Sequence, residues 1–481
     1  MPTIDVKHVI DTGRVKESRF NASSRIKELV TVWTSKASAK QRCGRAGRTS
    51  SGICWRLYSE EFMNRWIPDQ TPPEILRTPL DELVLQICLL YEERRDSSGT
   101  SGDQKLGVCP ITFLRNAPEP PPSHSLVQAC QHLIEVGALD VMQNTGRTTY
   151  RLTPLGYHLS RLPIDAKVGK VLLVGCILDC IDPALTVAAA LSSTKPIFLS
   201  RWGRAAEDKQ WKEAVQRCSA LVENGYGGKG WKGGTVKGDM IAAIAVYDEW
   251  SRKKTFKDQL NFAMSHGLDN RVLLDVKGLR KQFKDYLLDA GFLSKEDECN
   301  ACKDDARLAS CCLVAGLYPN IATLMRPRRE KGRLTLKGGR LITKTSELCR
   351  PSSSSFQAAR VRNASESGKD AYAVFHSKHR TVGTSSKAGE VFLNEVNFVS
   401  RYALILFGGK LQVRKNAVII DDWLKFNIGD DKKAGAVLIQ ELRREIDGVL
   451  LKHMESGMEK ASVKEACEDV LSFVRTLLSF E

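Results

Sequence analysis

Short runs in which apolar and polar residues alternate open the chain. Residues 6–11, VKHVID, form a β-rich run that ends at Thr12-Gly13. VKESRF and IKELVTVW follow on either side of a polar turn at residues 21–24, which predicts a β-hairpin. SKASAKQRCGRAGR then predicts a helix that leads into a glycine-interrupted basic segment, and GICWRLY predicts a strand. Residues 1–68 therefore have the pattern of the last strands of an α/β domain whose beginning is missing.

Helical spacing replaces this alternation after a proline-rich boundary near residue 70. PLDELVLQICLLYE predicts an amphipathic helix, and a second helix is predicted after Ser123, which we expect to act as its N-cap. TTYRLTPLGYHL predicts a short strand and the end of that strand. Two helices and a strand over residues 69–162 suggest a small winged-helix unit.

The middle of the chain is mainly helical in its pattern, with apolar runs at 171–178 and 184–191. We expect an all-helical domain over residues 163–318. The glycine-rich segment 224–235, NGYGGKGWKGGT, interrupts it. A flexible surface connection is the simpler interpretation of this segment, and a contact with RNA is the alternative.

Residues 319–430 contain short β-rich runs, which predict a small β-barrel or sandwich. These runs are GRLTLK, GRLITK, AYAVFHS, GEVFLNEVNFV, RYALILFGG and LQVRKNAVIID. The serine-rich stretch 351–370 has almost no apolar content and is predicted to be a mobile loop.

Helical spacing returns over residues 431–481, where two sets of apolar residues predict packing faces. The first set is Leu438, Leu442, Ile446, Val449 and Met454, and the second is Val463, Cys467, Val470, Val474 and Leu477. At 481 residues the chain is too long for one hydrophobic core, so these segments predict a multidomain α+β protein.

The formal net charge of +16 favours a polyanionic partner, either nucleic acid or an anionic membrane surface. Many basic proteins bind neither, so charge alone leaves the question open. The chain has no apolar run long enough to span a membrane and no secretory pattern in its first residues. We therefore expect an intracellular protein with no membrane partner, in the cytoplasm or the nucleus.

The 14 cysteines are scattered through the chain, which is typical of reduced thiols. Cys299, Cys302, Cys311 and Cys312 form the one cluster. The adjacent pair would point to different faces of a regular element, so the sequence does not predict a metal site.

The octamer QRCGRAGR, from Gln41 to Arg48, is the segment with the clearest chemistry. A guanidinium group can bind two phosphate oxygens and keeps its charge at every physiological pH. A positioned arginine can therefore stabilise the charge that builds on a phosphoryl group during its transfer. The alternative is an ordinary basic surface turn.

This octamer resembles motif VI of the superfamily 2 helicases of the DEAH-box and RNA helicase A type. Upstream, HVIDTGRVKESRF resembles the end of motif V and the start of the β-hairpin of that family. Downstream, TPPEILRTPLDELVLQI, GALD and RLTPLGYHLSRLPIDAKVGKVLL resemble its winged-helix domain and the junction with its ratchet domain. CCLVAGLYPNIA, VSRYALILFGG and IDDWLKFNI resemble the end of the ratchet and the OB-like barrel, and LIQELRREID resembles a helix of the RNA helicase A branch.

The resemblance covers nearly the whole chain and implies a domain order. Residues 1–68 would be the C-terminal part of the second RecA-like domain, and residues 69–162 a winged helix. A helical ratchet would follow over 163–318, an OB-like domain over 319–430, and C-terminal helices over 431–481.

The resemblance also implies roles for the octamer in binding ATP, which the family uses with Mg²⁺. Gln41 would help to place the attacking water and the γ-phosphate, and Arg45 and Arg48 would act as arginine fingers. Gly44 and Gly47 would allow close approach of the backbone to the nucleotide.

Three further assignments depend on the resemblance. Arg42 would hold the motif in place, and Asp5 would be the motif V aspartate, although its spacing departs from the family pattern. The hairpin over residues 15–32 would contact RNA, or its charges would only solvate it. The candidate RNA contacts are Lys16, Arg19, Arg25 and Lys27.

The sequence contains neither a GxxxxGK[ST] phosphate loop nor a following acidic motif for magnesium. We therefore expect the chain to be the C-terminal portion of an ATP-dependent RNA helicase that does not hydrolyse ATP alone. Its partners would be RNA and a separate N-terminal RecA-like domain, and the sequence does not identify any protein cofactor. The alternative is a non-catalytic RNA-binding or adaptor protein that retains the auxiliary domains.

Overall fold

The computed structural model describes most of the chain, and its helices and strands alternate in a mixed α/β architecture. The described residues are 6–48, 50–97, 107–144, 147–199, 213–214, 216–221, 238–294, 299–325, 329–330, 333–334, 340–355, 357, 361, 371–381, 389–414, 417–427, 433–456 and 472–478. They fall into two compact units. The first contains residues 1–80, 110–129 and 379–390, and the second contains 81–109, 130–378 and 391–481.

The elements up to residue 161 are short strands and helices. In chain order they are β1 (His8–Asp11), β2 (Arg14–Asn21), β3 (Ile26–Trp33), α1 (Lys36–Cys43), β4 (Ile53–Arg56), α2 (Glu60–Trp66), a 3₁₀ turn (Glu74–Leu76), α3 (Asp81–Ser97), α4 (Pro110–Leu114), α5 (Ser123–Val136), β5 (Leu139–Asn144), β6 (Arg147–Leu152) and α6 (Pro154–Arg161).

The remaining elements are helices as far as residue 317 and mainly strands after it. They are α7 (Ala166–Ile177), α8 (Ile181–Ser192), α9 (Asp239–Ser251), α10 (Phe256–Ser265), α11 (Asn270–Asp289), α12 (Ala306–Leu317), β7 (Ile321–Leu324), β8 (Arg329–Glu330), β9 (Arg333–Leu334), β10 (Leu341–Thr343), β11 (Leu348–Pro351), β12 (Tyr372–Val374), β13 (Ser377–Arg380), β14 (Val391–Asn394), β15 (Asn397–Val399), α13 (Arg401–Phe407), β16 (Leu411–Arg414), β17 (Ala417–Ile420), β18 (Leu424–Asn427) and α14 (Lys433–Ser456).

The predicted hairpin is confirmed in the first unit. β2 and β3 pair antiparallel from Arg14 opposite Trp33 to Asn21 opposite Ile26. The Asn21 side chain accepts a hydrogen bond from the Ser24 amide at 3.1 Å, and Arg25 closes the turn in the left-handed region with φ 51°. The polar turn residues therefore fix the register of the hairpin.

Parallel strands β1 and β4 form a separate two-stranded sheet in the same unit. Its apolar side chains are unusually open to solvent, because Ile10 is 69% exposed and Trp55 is 55% exposed. Parallel sheets are normally covered on both faces. This pair of strands therefore leaves apolar surface that an α/β domain would ordinarily bury.

The second unit contains the predicted helical region. α7, α8 and α12 pack closely together, and nearly every residue of these three helices is buried. Trp250 of α9 is fully buried and donates its indole hydrogen to Asn270 at 2.9 Å. The prediction of a mainly helical segment before residue 318 is thus confirmed for the described residues.

The strand predicted in TTYRLTPLGYHL ends at Leu152 as expected, and helix α6 follows it directly. Thr153 caps this helix by accepting a hydrogen bond from the Gly156 amide at 2.9 Å, and Pro154 occupies the first turn. Proline at this place starts a helix as readily as it ends a strand.

The β-rich part of the second unit forms open sheets. One has the strand order β15-β12-β7-β10-β11-β14, and another is the antiparallel meander β16-β17-β18. RYALILF, expected to be a strand, is helix α13 instead. Ser400 caps it by accepting from the Ala403 amide at 2.9 Å, and residues 403–407 are buried. A short apolar run does not distinguish a buried helix from a buried strand.

The serine-rich stretch is only partly described, and the expectation of a mobile loop stays a prediction, although several of its described residues are buried. Ser352, Ser355, Gln357 and Val361 are all buried. The Ser352 amide donates to the Leu393 carbonyl at 2.8 Å, which continues the sheet. The remainder of 351–370 and the glycine-rich segment 224–235 lie outside the described residues.

The packing face predicted for the C-terminal helix is correct for Ile446 and Met454, which are buried. It is wrong for Leu438, which is 68% exposed, while Ala436 is buried. In the second predicted face Val474 is buried, and Val463, Cys467 and Val470 lie outside the described residues. Within the part that the structure describes, the helices are too short or too polar to cross a membrane.

Candidate functional site

Helix α1 presents the first residues of the QRCGRAGR octamer at its C-terminal end. Ser35 caps the helix by accepting a hydrogen bond from the Ser38 amide at 3.1 Å. The amides of Lys36 and Ala37 donate to the carbonyls of Pro68 and Asp69. The first turn of the helix is therefore held by the amides of its first three residues. The helix ends at Cys43, so the rest of the octamer continues into a turn.

A buried carboxylate anchors the octamer from below. Asp11, 2% exposed, accepts hydrogen bonds from Arg42 Nη1 at 2.8 Å, the Tyr58 hydroxyl at 3.0 Å and the Gly13 amide at 2.9 Å. Burial alone would raise the pKa of Asp11, but these three donors together lower it below its ordinary value of 3.8. Burial and the contact with Asp11 raise the pKa of Tyr58 to about 12. Asp11 therefore stays ionised, and Arg42 is fixed to it.

The residues expected to face a nucleotide are free of such contacts. Gln41, Arg45 and Arg48 are exposed, and in the described part of the chain none of their side chains has a hydrogen-bond or ion-pair partner. Ala46, only 3% exposed, fixes the turn between the two arginines. The turn is thus anchored while its charged groups stay available.

The two glycines of the octamer are not required by packing. A Cβ added at Gly47 would meet no atom within 4 Å, and one at Gly44 would lie 3.5 Å from the Lys40 carbonyl, an ordinary contact. Gly52 differs, because a Cβ there would collide with the backbone of Ala46. The open space over Gly44 and Gly47 is what close approach of a ligand requires.

Part of the octamer lies beside a cleft of about 310 Å³ in the first unit. Gln41, Arg42 and Arg45 line this cleft together with Lys16 of the hairpin, whereas Arg48 does not. Asp5, the expected motif V aspartate, lies outside the described residues.

The four candidate RNA contacts of the hairpin do not form one surface. Residues that lie opposite each other in the two strands share a face of the hairpin, and alternate residues of one strand do so as well. Lys16, Phe20 and Lys27 therefore lie on one face, and Arg19 lies on the other. Arg19 pairs with Glu17 at 3.0 Å, so its charge is already matched. Arg25 lies in the turn, 5.6 Å from the Phe20 ring.

The sequence interpretation missed Asp11 and Tyr58. Asp-Thr-Gly at the end of a strand is a signal for a side chain that folds back on its own backbone, as the Asp11 to Gly13 contact shows. Nothing local indicates that Tyr58 and Arg42 reach the same carboxylate. In the described residues no group of three or more potential metal ligands converges.

A family model matches residues 165–259, that of the helicase associated domain (HA2), described as ratchet-like. The chain is also similar to curated helicases. It is 30% identical over 465 residues to the human ATP-dependent DNA/RNA helicase DHX36, which covers 94% of this chain and 40% of the relative. It is 33% identical over 458 residues to the Arabidopsis thaliana DExH-box ATP-dependent RNA helicase DExH1, covering 94% and 39%. With the mouse putative ATP-dependent RNA helicase DHX57 it is 31% identical over 486 residues, covering 93% and 31%.

The chain therefore spans at most 40% of the length of these three relatives. The ratchet-like domain and the shared similarity support the DExH-box helicase family. The names of the relatives describe ATP-dependent enzymes, some acting on RNA and one on DNA or RNA.

Proposed function

We propose that this chain is the part of a DExH-box ATP-dependent RNA helicase that supplies the arginine side of the ATP site and the accessory domains. One observation carries the proposal. Arg45 and Arg48 are exposed, and their side chains have no partner among the described residues, on a turn that the bond between Arg42 and Asp11 holds in place. An ordinary basic surface turn has no need of a buried carboxylate beneath it.

The residues of the octamer would divide the work at the ATP site, as the family resemblance implies. Arg45 and Arg48 would stabilise the negative charge that develops on the transferred phosphoryl group, and Gln41 would orient the attacking water. Gly44 and Gly47 would let the backbone approach the phosphates. Arg42 is a positioning residue, since its guanidinium is bonded to Asp11.

The phosphate loop and the magnesium ligands would come from another segment. Bound Mg²⁺ would neutralise charge on the phosphates. The sequence has no GxxxxGK[ST] loop, and in the described residues no cluster of metal ligands is found. We infer that the isolated chain does not turn over ATP.

The exposed pair of parallel strands supports a larger α/β domain around residues 1–68. Ile10 and Trp55 are exposed although they lie in parallel strands, and both faces of a parallel sheet are usually buried. A RecA-like domain whose remaining strands and helices cover these side chains would account for their exposure.

The accessory domains are proposed in the order winged helix, ratchet and OB-like domain. The described helices α3, α4 and α5, followed by the β5–β6 hairpin, support a winged helix over residues 69–162. The match to the ratchet-like domain at residues 165–259 supports the ratchet. The OB-like assignment of 319–430 and the RNA helicase A branch depend on sequence resemblance, including LIQELRREID at 438–447.

RNA binding and ATP hydrolysis by the purified chain test this proposal together. We expect binding to single-stranded RNA that weakens steeply as salt rises, because the chain carries a net charge of +16. ATP hydrolysis with RNA should stay at background. ATP hydrolysis that Arg45→Ala abolishes would contradict the inference that the phosphate loop comes from another segment. A failure to bind RNA would contradict the helicase assignment. The adaptor alternative would be favoured if the chain binds RNA but replacing Arg45 and Arg48 has no effect on ATP hydrolysis when the chain is combined with an N-terminal RecA-like domain.

A further inference from the structure

The cleft between the hairpin and helix α1 has an excess of unpaired positive charge. Lys16, Arg45 and Arg77 all line it, and in the described residues none of the three has an acidic partner. Among the described residues, the carboxylate on its wall is that of Glu17, which is already paired with Arg19 at 3.0 Å. Three cations around a space of about 310 Å³ therefore face solvent or an anion.

Two buried polar atoms of the wall lack partners. Thr34 is 1% exposed, and its hydroxyl Oγ1 makes no hydrogen bond within the described part of the chain. The Nε of Arg77 is also buried and unpartnered there. A buried donor without an acceptor costs on the order of 1–3 kcal/mol. Both residues line the cleft, so a ligand in the cleft can satisfy both atoms.

The backbone around these donors is fixed. The Arg77 carbonyl accepts a hydrogen bond from the Phe20 amide of the hairpin at 3.1 Å, and its amide donates to the Glu74 carbonyl at 3.0 Å. The Thr34 amide donates to the Gly13 carbonyl at 2.8 Å. The donors are therefore positioned before any ligand arrives, which lowers the entropic cost of binding.

We propose that this cleft is a phosphate-binding site in which Arg77, Lys16, Arg45 and the Thr34 hydroxyl bind the oxygens of one phosphate group. A phosphate accepts several hydrogen bonds at once and matches the excess charge. None of the described residues that line the cleft is aromatic, so none can stack on a nucleobase, and the cleft suits a phosphate group better. The phosphate comes either from a phosphodiester of RNA or from the terminal phosphates of a nucleotide.

The proposal deepens the proposed function, since Arg45 belongs to both sites, but its test does not depend on ATP hydrolysis. The thermal midpoint of the purified full chain is measured in inorganic phosphate and in chloride at equal ionic strength. Phosphate should raise the midpoint of the unaltered chain by more than that of Arg77→Gln, because a ligand that binds only the folded state stabilises it, whereas the general stabilisation by phosphate salts acts on both chains. No difference between the two salts would overturn the proposal.

Variants separate this cleft from the general surface charge. Arg77→Gln removes one charge-assisted bond and should weaken phosphate binding by about tenfold or more. Thr34→Val keeps the shape and loses the hydroxyl, so it should weaken binding less. Arg77→Lys keeps the charge and should bind with intermediate affinity. Arg65→Gln, which removes an exposed charge of helix α2 that does not line the cleft, is the matched control and should bind as the unaltered chain does.

Two further titrations identify the source of the phosphate. If Arg77→Gln weakens binding of a single-stranded oligouridylate while Arg65→Gln does not, the site holds an RNA phosphodiester. If only the binding of inorganic triphosphate weakens, the site holds the tail of a nucleotide. Equal losses for Arg77→Gln and Arg65→Gln would overturn the proposal by showing a general loss of charge. Such a result would leave the role of Arg45 and Arg48 in ATP hydrolysis intact, so the two proposals can fail separately.

Discussion

Replacing two neighbouring arginines of one octamer should separate a structural role from a functional one. Arg42 donates to the buried carboxylate of Asp11 at 2.8 Å, whereas Arg45 is exposed and has no protein partner in the described residues. Arg42→Ala should therefore destabilise the region of helix α1. Arg45→Ala removes the same charge and should leave local stability unchanged.

The magnitude follows from what Asp11 loses. Removing one partner of a fully buried ion pair costs about 3–5 kcal/mol. Here the Arg42 side chain is 33% exposed, and Asp11 keeps its bonds to Tyr58 and Gly13. We therefore expect Arg42→Ala to cost about 1.5–3 kcal/mol, the range for a hydrogen bond to a charged group.

The pH dependence has a definite sign. The folded-state pKa of Asp11 is lowered below its ordinary 3.8, so the stabilisation is present above that value and disappears as the pH falls through the lowered pKa. The difference between the unaltered chain and Arg42→Ala should be complete at neutral pH and should shrink at acidic pH below about 4.

Hydrogen exchange of the peptide covering residues 36–43 measures the effect locally. A loss of about 2 kcal/mol corresponds to roughly thirtyfold faster exchange of its protected amides. Arg45→Ala is the control and should exchange at the original rate. Unchanged exchange in Arg42→Ala, or equal acceleration in both variants, would refute the assignment of Arg42 to positioning.

Three other changes test separate parts of the structure. Gly47→Ala should leave the thermal midpoint nearly unchanged, because its Cβ meets no atom within 4 Å, while Gly52→Ala should lower the midpoint strongly; equal losses would contradict the open space over Gly47. Burial and then the nearby Asp239 raise the pKa of Glu395 from 4.5 to about 7, so its ionised form destabilises the fold at higher pH. Glu395→Gln should therefore raise the free energy of unfolding in urea by about 1–3 kcal/mol at pH 8, with no gain below pH 4.5. Trp55→Ser should reduce binding of an apolar fluorescent dye by the isolated chain with a stability change of about 0.5 kcal/mol or less, whereas unchanged dye binding would show that the exposed strands are not the apolar surface.

Local signals predicted the hairpin because they lie within it. The polar turn at residues 21–24 and the flanking alternation both act over a few residues, and they specify the register found in β2 and β3. The strand predicted for RYALILF was wrong, because a continuous apolar run shows neither the period of a strand nor that of a helix. Ser400 caps a helix there. The prediction for Leu438 was also wrong, since the face that a helix buries depends on its neighbours.

Long-range contacts account for the part of the site that the sequence could not predict. The octamer was recognisable because its glycines and arginines are adjacent in the chain. Asp11 and Arg42 are 31 positions apart, and Asp11 and Tyr58 are 47 apart, so their meeting depends on how β1, α1 and β4 assemble. Period-two alternation along β2 could have separated Lys16 from Arg19, because residues at odd and even positions of a strand face opposite sides.

The most direct test of the central claim is ATP hydrolysis by a chimaera in which this chain replaces the matching segment of human DHX36. We expect RNA-stimulated hydrolysis by the chimaera and its loss in Arg45→Ala and in Arg48→Ala. Arg65→Ala, which removes an exposed charge paired with Glu61 at 3.0 Å on helix α2, should retain activity. A folded chimaera that hydrolyses no ATP, or one whose hydrolysis survives the loss of Arg45 and Arg48, would contradict the claim that this octamer supplies the arginines of an ATP site.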